Sequence, residues 1–533
     1  MDLSLTRDTV RISEPVFETA ADHPIECDII LPDYCPDIAR ILKSEANVCI
    51  DSKSVDGGRL TIGGNFTVKI IYIPENSGVI RCISHDQAFS AQFEAGQAEP
   101  EAYVKAKARV VYVNCRPVGP RRVQVKASVG ISAKIWCRKE EEFVSGAEDQ
   151  NAEMLRKQMK ACSLVGAADR DFKLSDELEV GYGKPEIAAV IKSDAVAVVQ
   201  DYKVISNKII LKGEVMLHTI YSTDQDGGEM REDEEQENTP RPKLEMMEHT
   251  IPISQIIDLE GADEDCICDV GLMAGALKVE AASDEDGESR VLAVEMDLTA
   301  TVRAYKMQEF FIVTDAYCPD YDMDLKTRQL SFEQIVDTVK ATEMIRESVD
   351  IAGMDVASIT DCTVKADIDN VSLEGKVLNI SGSLNASFLA EDSQSGPSGF
   401  EKAIPFRIRE ELKEAAEVMR CEPNITVVST GYSMNGLDKI DLRVECMVEA
   451  MIFGVSSETA VTDMNVDDSR PKECGNKKAL TLYYADEGEK IWDIAKKYST
   501  SMDAIKRENG MEEDRLNARR MLLIPKKKCG RTE

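Results

Sequence analysis

One sequence pattern recurs along this chain at a fixed spacing. Residues 36–44 read PDIARILKS, and residues 185–193, which lie 149 positions later, read PEIAAVIKS. The same offset takes GNFTVKIIY, which starts at Gly64, to GEVMLHTIY, which starts at Gly213. A further shift of 169 positions reaches Gly382, the first residue of GSLNASFLA. Because each copy of an internal repeat is usually one structural unit, we expect three tandem copies of one module, the third of them degenerate.

Most of each copy alternates between apolar and polar residues. The segment that closes the first copy, RRVQVKASVGISAKIW, alternates almost without exception, and RVLAVEMDLTATVRAY and KIDLRVECMVEAMIFG close the second and third copies in the same way. A period of two residues is typical of a half-buried β-strand. The modules are therefore predicted to be mainly β.

Three segments depart from this alternation and predict short helices. In PDIARILKS, the proline and the aspartate suit a first helical turn, and Ile38, Ile41 and Leu42 recur at helical spacing. Two further helix-like segments, EDQNAEMLRKQMKACSLV (148–165) and LSFEQIVDTVKATEMI (330–345), lie where one copy gives way to the next. We therefore predict one short helix within the β-rich module and helical segments between modules.

These patterns divide the chain into five predicted segments. Residues 465–478 contain Pro and Gly without periodicity, which indicates a linker. Residues 224–237 form an acidic insertion in the second copy, which predicts a mobile loop of unknown role. The five segments are module 1 (1–145), module 2 (155–322), a degenerate module 3 (323–464), the linker (465–478) and a small C-terminal domain (479–527).

The net charge of −33 is unevenly distributed. Residues 477–533 contain 14 basic and 10 acidic residues, whereas the residues before them contain 50 and 87. A long acidic body argues against nucleic-acid binding. The N-terminus lacks the basic and apolar regions of a secretory signal, and no run approaches the roughly 20 apolar residues of a membrane-spanning helix. We expect a soluble protein that stays in the cytoplasm.

Residues that usually carry catalysis or bind metals are sparse. The chain has only four histidines, and its 15 cysteines are scattered without the paired spacing of a zinc site. No P-loop, nucleophile elbow or zinc-protease motif is present. We therefore predict no enzyme activity, no cofactor and no metal site. A hydrolase is an alternative without positive support, because the carboxylates are too abundant for any pair to be singled out.

The pattern of residues 480–526 is strand, helix, helix, strand. It resembles the LysM domain, whose usual sequence contains G-D-T-L-W-x-I-A-x-x-Y and ends in L-x-I-P. The matching residues are Tyr484, Gly488, Glu489, Ile491, Trp492, Ile494, Ala495, Tyr498, Ile505, Asn509, Leu523, Ile524 and Pro525. The resemblance implies a shallow groove for N-acetylglucosamine polymers, between the loop after the first strand and the loop before the second.

Two departures from the LysM pattern add positive charge to those loops. Lys490 replaces the usual Thr, and NARRM, which contains Arg519 and Arg520, replaces a PGQ turn. These charges either form a binding surface or keep an acidic protein soluble, and Trp492 either packs in the core or contributes to binding. The candidate partner-binding residues are Gly488, Glu489, Lys490, Ile491, Trp492, Lys496, Asn509, Gly510, Arg519 and Arg520.

The modules also resemble a known family. LPDYCPDIARIL, which starts at Leu31, is similar to the L-P-x-x-x-P-D-I-x-x-I-L signature of the SPOCS domain, and the later strand of that family ends in Tyr, here Tyr72 and Tyr221. SPOCS modules followed by a LysM domain resemble spore-coat morphogenetic proteins of endospore-forming Firmicutes, of the SipL type. The resemblance implies a mother-cell scaffold at the forespore surface. It further implies that the LysM domain binds stage IV sporulation protein A, the ATPase that polymerises as the basal layer of the coat.

Repeated β modules favour a binding role over catalysis. Strand edges and faces can take partner strands, and linked modules increase avidity. We expect an adaptor whose acidic modules contact other coat proteins or forespore-membrane-associated proteins, while the LysM domain contacts the coat ATPase. The alternative is a protein that binds peptidoglycan or another N-acetylglucosamine polymer through the LysM domain.

Overall fold

The structure is a computed structural model in which most of the described residues form β-strands. Strands account for 80% of the residues and helices for 3%, which confirms the predicted mainly β fold. The acidic insertion at 224–237 and residues 473–478 of the predicted linker lie outside the described residues. The described residues are 4–75, 80–96, 98, 102–147, 152–181, 183–223, 244–284, 286–354, 356–392, 396–414, 418–436, 438–472 and 480–525.

Module 1 contains two antiparallel sheets of three strands each. Its first sheet has the order β1-β6-β5, because the first and last strands of the module pair with each other, and its second sheet is the meander β2-β3-β4. The strands are β1 (Leu5–Ile30), β2 (Ile38–Asp56), β3 (Arg59–Pro74), β4 (Arg81–Glu94), β5 (Tyr103–Gly119) and β6 (Arg122–Ala147).

Module 2 repeats this topology. Its sheets have the orders β7-β12-β11 and β8-β9-β10, so the first and last strands again pair. The strands are β7 (Glu153–Glu179), β8 (Ala189–Ile205), β9 (Lys208–Ser222), β10 (Leu244–Asp258), β11 (Ile267–Ala282) and β12 (Val291–Tyr317).

Module 3 has the same plan with one interrupted strand. Its second sheet is the meander β14-β15-β16, and in its first sheet β19 pairs on one side with β13 and on the other with both β17 and β18. The strands are β13 (Tyr321–Asp350), β14 (Val356–Glu374), β15 (Val377–Asp392), β16 (Gly396–Glu411), β17 (Val418–Cys421), β18 (Asn424–Asn435) and β19 (Lys439–Pro471).

The alternating strands supply the core of each module. In module 1 the apolar positions of β6 from Val123 to Ile135 are almost completely buried, and they belong to one cluster with Leu60, Ile62 and Phe66 of β3. Complete burial of such a side chain contributes roughly 1.5–3 kcal/mol. The two sheets of a module are therefore held face to face by their alternating strands.

The helix predicted for residues 36–44 is wrong, because β2 begins at Ile38 and pairs with β3. The register shifts between Ile38 and Arg40 and again between Ile41 and Lys43. Each shift inserts an extra residue into the strand, so apolar residues recur at three positions instead of two. Two bulges in succession thereby imitate the spacing of an amphipathic helix.

The other two predicted helices, at 148–165 and 330–345, are also wrong; residues 148–151 lie outside the described residues. Residues 153–165 are the first half of β7, and residues 330–345 lie within β13. Both segments contain good helix formers, but each pairs along its length with the last strand of its module, β12 or β19. Tertiary pairing outweighs helix propensity here. Strand β19 also extends to Pro471, so the predicted linker starts within a strand.

The three modules contact one another through equivalent residues. Ile71, Ile220 and Leu389, which are related by the offsets of 149 and 169, belong to one buried cluster. A second cluster combines residues from all three modules, among them Phe143, Ile312 and Ala460. The equivalent strands β6, β12 and β19 each contact the other two. The modules therefore form a closed group of three rather than a string.

The C-terminal domain has the predicted βααβ order. Strands β20 (Leu480–Ala485) and β21 (Arg520–Pro525) pair antiparallel, and helices α1 (Ile491–Lys497) and α2 (Met502–Asn509) lie between them in the chain. Ser501 caps α2 by accepting a hydrogen bond from the Ala504 amide at 3.2 Å, and Gly510 ends it with a φ of 59°. No helix among the described residues is long and apolar enough to cross a membrane.

Candidate functional site

The C-terminal domain rests on the end of module 2 through three residues, Trp492, Lys496 and Thr500, which we call the docking face. The indole Nε1 of Trp492 donates to Oδ2 of Asp315 at 2.8 Å, and Nζ of Lys496 lies 2.7 Å from both carboxylate oxygens of Asp315. The hydroxyl of Tyr317 donates to the carbonyl of Thr500 at 2.6 Å. One strand end, the last three residues of β12, thus supplies every one of these contacts.

The same contact has an apolar part. The rings of Tyr317 and Trp492 meet edge to face with centroids 5.0 Å apart, a favoured aromatic geometry. Both residues are about 95% buried, and Leu155 of β7 packs against the same cluster. Burial raises the pKa of the Tyr317 hydroxyl above its ordinary value. Trp492, which is part of α1, therefore packs between the core of the C-terminal domain and module 2.

The predicted loop residues Gly488, Glu489 and Lys490 hold the two loops of the LysM-like groove together. The Gly488 amide donates to the Leu516 carbonyl at 2.8 Å, and the Leu516 amide donates to the Glu489 carbonyl at 3.0 Å. The Glu489 carboxylate accepts from the Tyr483 hydroxyl at 3.1 Å. Lys490 is exposed, so it is the one of the three whose side chain faces solvent.

The remaining predicted residues have different environments. Ile491 is fully buried in the domain core. Asn509 joins α2 to β21, because its side-chain amide donates to the Leu523 carbonyl and its oxygen accepts from the Leu523 amide, both at 2.7 Å. Gly510, Arg519 and Arg520 are exposed. The structure thus brings Trp492 and Lys496 together and places the other candidates in the loops or in the core.

Several residues of the contact were not predicted from the sequence. No motif includes Thr500, Asp315 or Tyr317. Asp315 and Tyr317 lie at the end of a strand whose sequence shows only the alternation of apolar and polar residues. A contact between segments about 180 residues apart leaves no periodic signal in a single sequence. Arg515, which donates to the Gly488 carbonyl at 2.8 Å, was also missed, because it does not belong to the LysM pattern.

A second group of charged residues lies where the three modules meet, and we call it the central ion cluster. Lys43, Lys192 and Asp361 occupy equivalent positions in β2, β8 and β14, and their side chains are at most 2% exposed. Nζ of Lys43 and Nζ of Lys192 lie 3.2 and 3.0 Å from Oδ2 of Asp361. Module 3 therefore supplies an acid where modules 1 and 2 supply a base.

Two more carboxylates complete the central ion cluster. Lys192 lies 2.9 Å from both Glu45 and Asp194, and Lys69 lies 2.8 Å from Asp194. Burial alone would raise the pKa of each carboxyl, but the neighbouring lysines hold the pKa values of Glu45, Asp194 and Asp361 below their ordinary range. The acids therefore stay charged, and the cluster binds the modules together instead of exchanging protons near neutral pH.

The comparisons with known families agree with this organisation. Residues 37–118 and 186–281 match the family model described as SipL, SPOCS domain, and residues 485–525 match that of the LysM domain. The two SPOCS matches begin 149 positions apart and lie in modules 1 and 2. No curated protein and no solved structure shows significant similarity to this chain. The chain carries two SPOCS segments and a C-terminal LysM domain, the combination that the repeats and the tail predicted.

Proposed function

We propose that this protein is a non-enzymatic adaptor of spore-coat assembly in the mother cell, at the forespore surface. SPOCS and LysM are non-catalytic domain families, and their combination points to a protein of the sporulation coat. The LysM domain binds stage IV sporulation protein A, the coat ATPase. The acidic faces of the three modules contact other coat proteins or forespore-membrane-associated proteins.

The observation that carries the proposal is the docking face. The LysM domain already binds a protein surface, and it does so with an indole, an ammonium group and a backbone carbonyl. Tryptophan is a common anchor in protein interfaces, and the ammonium group adds a charge-assisted hydrogen bond. A domain that packs on one protein surface is suited to bind another.

The closed group of modules supports an adaptor in a second way. The buried clusters and the central ion cluster fix the three modules relative to one another. Contacts made by different modules to one assembly therefore act at a fixed spacing, which increases avidity without any single tight contact.

Retention of the coat ATPase by the immobilised full-length chain tests the proposal. We expect retention by the full-length chain and loss of most of it on Lys496→Glu, which reverses the charge of the docking face at a side chain that is 43% exposed. Lys173→Glu makes the same change at a position of module 2 that is 87% exposed, and it is the matched control. Equal retention by a chain that ends at residue 472 would contradict the role of the LysM domain.

Glycan binding is the second candidate, because the groove loops are partly exposed. Lys490 and Arg519 face solvent on the two loops that enclose the family's saccharide groove. Titration of the full-length chain with chitooligosaccharide separates the candidates. Saturable binding favours a peptidoglycan-binding protein, and no binding favours the adaptor.

A further inference from the structure

We propose that the docking face recognises an acidic residue followed two positions later by an aromatic residue at a strand end. Asp315 and Tyr317 of module 2 occupy the face in this structure, and a partner protein that presents the same pair displaces them. The displacement by a partner rests on the proposed adaptor function. The recognition itself does not.

Two hydrogen-bond donors of the docking face recognise the acidic residue. The indole N–H of Trp492 and the ammonium group of Lys496 both point at the Asp315 carboxylate, at 2.7 to 2.8 Å. Charge-assisted hydrogen bonds of this kind are stronger than neutral ones. An amide in place of the carboxylate keeps an acceptor but loses the charge, so the face distinguishes Asp from Asn.

The docking face recognises the aromatic residue through ring packing and one hydrogen bond. The edge-to-face contact with Trp492 requires a ring, and the bond to the Thr500 carbonyl requires a hydroxyl donor. Because side chains two positions apart in a strand point to the same side, Asp315 and Tyr317 reach the docking face together. Ala316, between them, points away.

Among the equivalent ends of the three closing strands, only that of module 2 offers this pair. The closing strands of the three modules share a buried valine, which is Val144, Val313 or Val461. The residue two positions after this valine is Gly146 in module 1, Asp315 in module 2 and Asp463 in module 3. Module 1 therefore lacks the acid.

Module 3 has the acid but lacks the aromatic residue. Asp463 is paired with Arg7 and Lys326 at 3.4 and 3.0 Å, and Asn465 occupies the position equivalent to Tyr317. The absence of the pair from the equivalent strand ends of modules 1 and 3 explains why the LysM domain rests on module 2, although it follows module 3 in the chain.

The charged part of the docking contact is open to competition from another carboxylate. The side chains of Lys496 and Asp315 are 43% and 28% exposed, so solvent screens their attraction. Docking is also favoured because both surfaces belong to one chain, which makes their effective concentration high. A partner that presents the pair many times competes better than one that presents it once.

A single-tryptophan variant measures the docking directly. The chain has two tryptophans, so Trp136→Phe leaves Trp492 as the only reporter. In this background we expect Asp315→Asn with Tyr317→Ala to increase acrylamide quenching of Trp492 severalfold, because the indole becomes exposed. The control Asp463→Asn changes the equivalent residue of module 3 and should leave the quenching unchanged.

A peptide then tests the recognition. The probe is the capped heptapeptide IVTDAYS, which copies residues 312–318 with Ser in place of Cys318, and its control is IVTNAFS. We expect the probe to restore the protection of Trp492 saturably in the undocked variant, and to bind the docked Trp136→Phe chain at least about tenfold more weakly. The control peptide should not bind.

Two results would overturn the proposal. Unchanged quenching in the Asp315→Asn, Tyr317→Ala variant means that module 2 does not hold the LysM domain. Equal binding of the two peptides means that the docking face does not read the acidic and aromatic pair. Neither measurement involves a coat protein, so failure of the adaptor function leaves both readouts unaffected.

Discussion

In modules 1 and 2 a tyrosine links the two repeated sequences by a hydrogen bond. The hydroxyl of Tyr72 donates to the Pro36 carbonyl at 3.3 Å, and that of Tyr221 donates to the Pro185 carbonyl at 3.2 Å. The last residue of GNFTVKIIY therefore binds the first residue of PDIARILKS within the same module. In module 3 the equivalent residue is Ala390, which is one reason why the third copy is hard to detect.

Tyr221→Phe tests this bond with little change in shape. Loss of one neutral hydrogen bond is expected to lower the free energy of unfolding by about 1 kcal/mol, measured by urea denaturation. Tyr112→Phe is the control, because Tyr112 is 53% exposed. A change of the same size in both variants would contradict the assigned bond.

Asn509 shows what a family motif can and cannot predict. The motif identifies the residue but not its use, and the structure directs its side chain to the Ile505 and Leu523 carbonyls and to the Leu523 amide, at 2.7 to 2.8 Å. A residue that matches a binding family is thus committed to holding α2 against β21.

Asn509→Ala is expected to destabilise the LysM domain by about 1–3 kcal/mol, because it leaves backbone groups without partners. Hydrogen exchange of the Leu523 amide measures the effect within the full-length chain. The control Asn517→Ala removes an exposed asparagine. Unchanged exchange at Leu523 would show that the assigned bonds contribute nothing.

Among the elements, the second strand of module 1 shows why one of the three predicted helices is wrong. Alternation correctly identified the long closing strands, since β6, β12 and β19 alternate without interruption through their buried halves. It failed at β2, where bulges change the spacing of the apolar residues. The bulges recur at the equivalent place in β8, between Val190 and Lys192. Regular strands are thus visible in the sequence, and bulged ones are not.

The repeated glycine that opens GNFTVKIIY lies opposite another of these bulges. At Gly64, Gly213 and Gly382 an added Cβ would lie 2.3, 2.6 and 1.9 Å from a carbonyl oxygen of the neighbouring strand. The register shifts at these points, for example between Val199 and Asp201 in β8. Close backbone approach at a bulge therefore requires glycine in each module.

Gly213→Ala is expected to lower the free energy of unfolding by about 1–3 kcal/mol, because the extra methyl group overpacks the bulge. Gly431→Ala in β18 is the control, since an added Cβ there has no neighbour within 4 Å. Thermal unfolding of the two variants measures the difference. Equal midpoints would show that the bulge can absorb the methyl group.

At the scale of the whole molecule, the central ion cluster determines how the modules combine. Residue patterns predicted three modules, but they gave no indication that Lys43, Lys192 and Asp361 would meet. Lysine is rarely buried without a partner, so the sequence alone gives no sign that Lys43 and Lys192 are buried. Their partner is Asp361 of module 3. Sequence patterns within one module do not identify a partner in another module.

The cluster makes stability depend on pH in a defined direction. The folded-state pKa values of Glu45, Asp194 and Asp361 are lowered. Their contribution is therefore complete above the unfolded-state pKa of about 4 and is lost as pH falls below it. Asp361→Asn should cost roughly 3–5 kcal/mol at pH 7, because it leaves buried lysines short of a partner. Urea denaturation should show this cost shrinking below about pH 4, and a cost that stays constant with pH would contradict the assignment.

A double-mutant cycle between Lys192 and Asp361 tests the closed group of three modules most directly. The two residues are 169 positions apart, in different modules, and their charged atoms lie 3.0 Å apart. Lys192→Met and Asp361→Asn should each destabilise the protein, and the double variant should be less destabilised than their sum by at least about 1 kcal/mol. If the effects add to within about 0.5 kcal/mol, the modules do not meet at this cluster and the chain is a string of separate units.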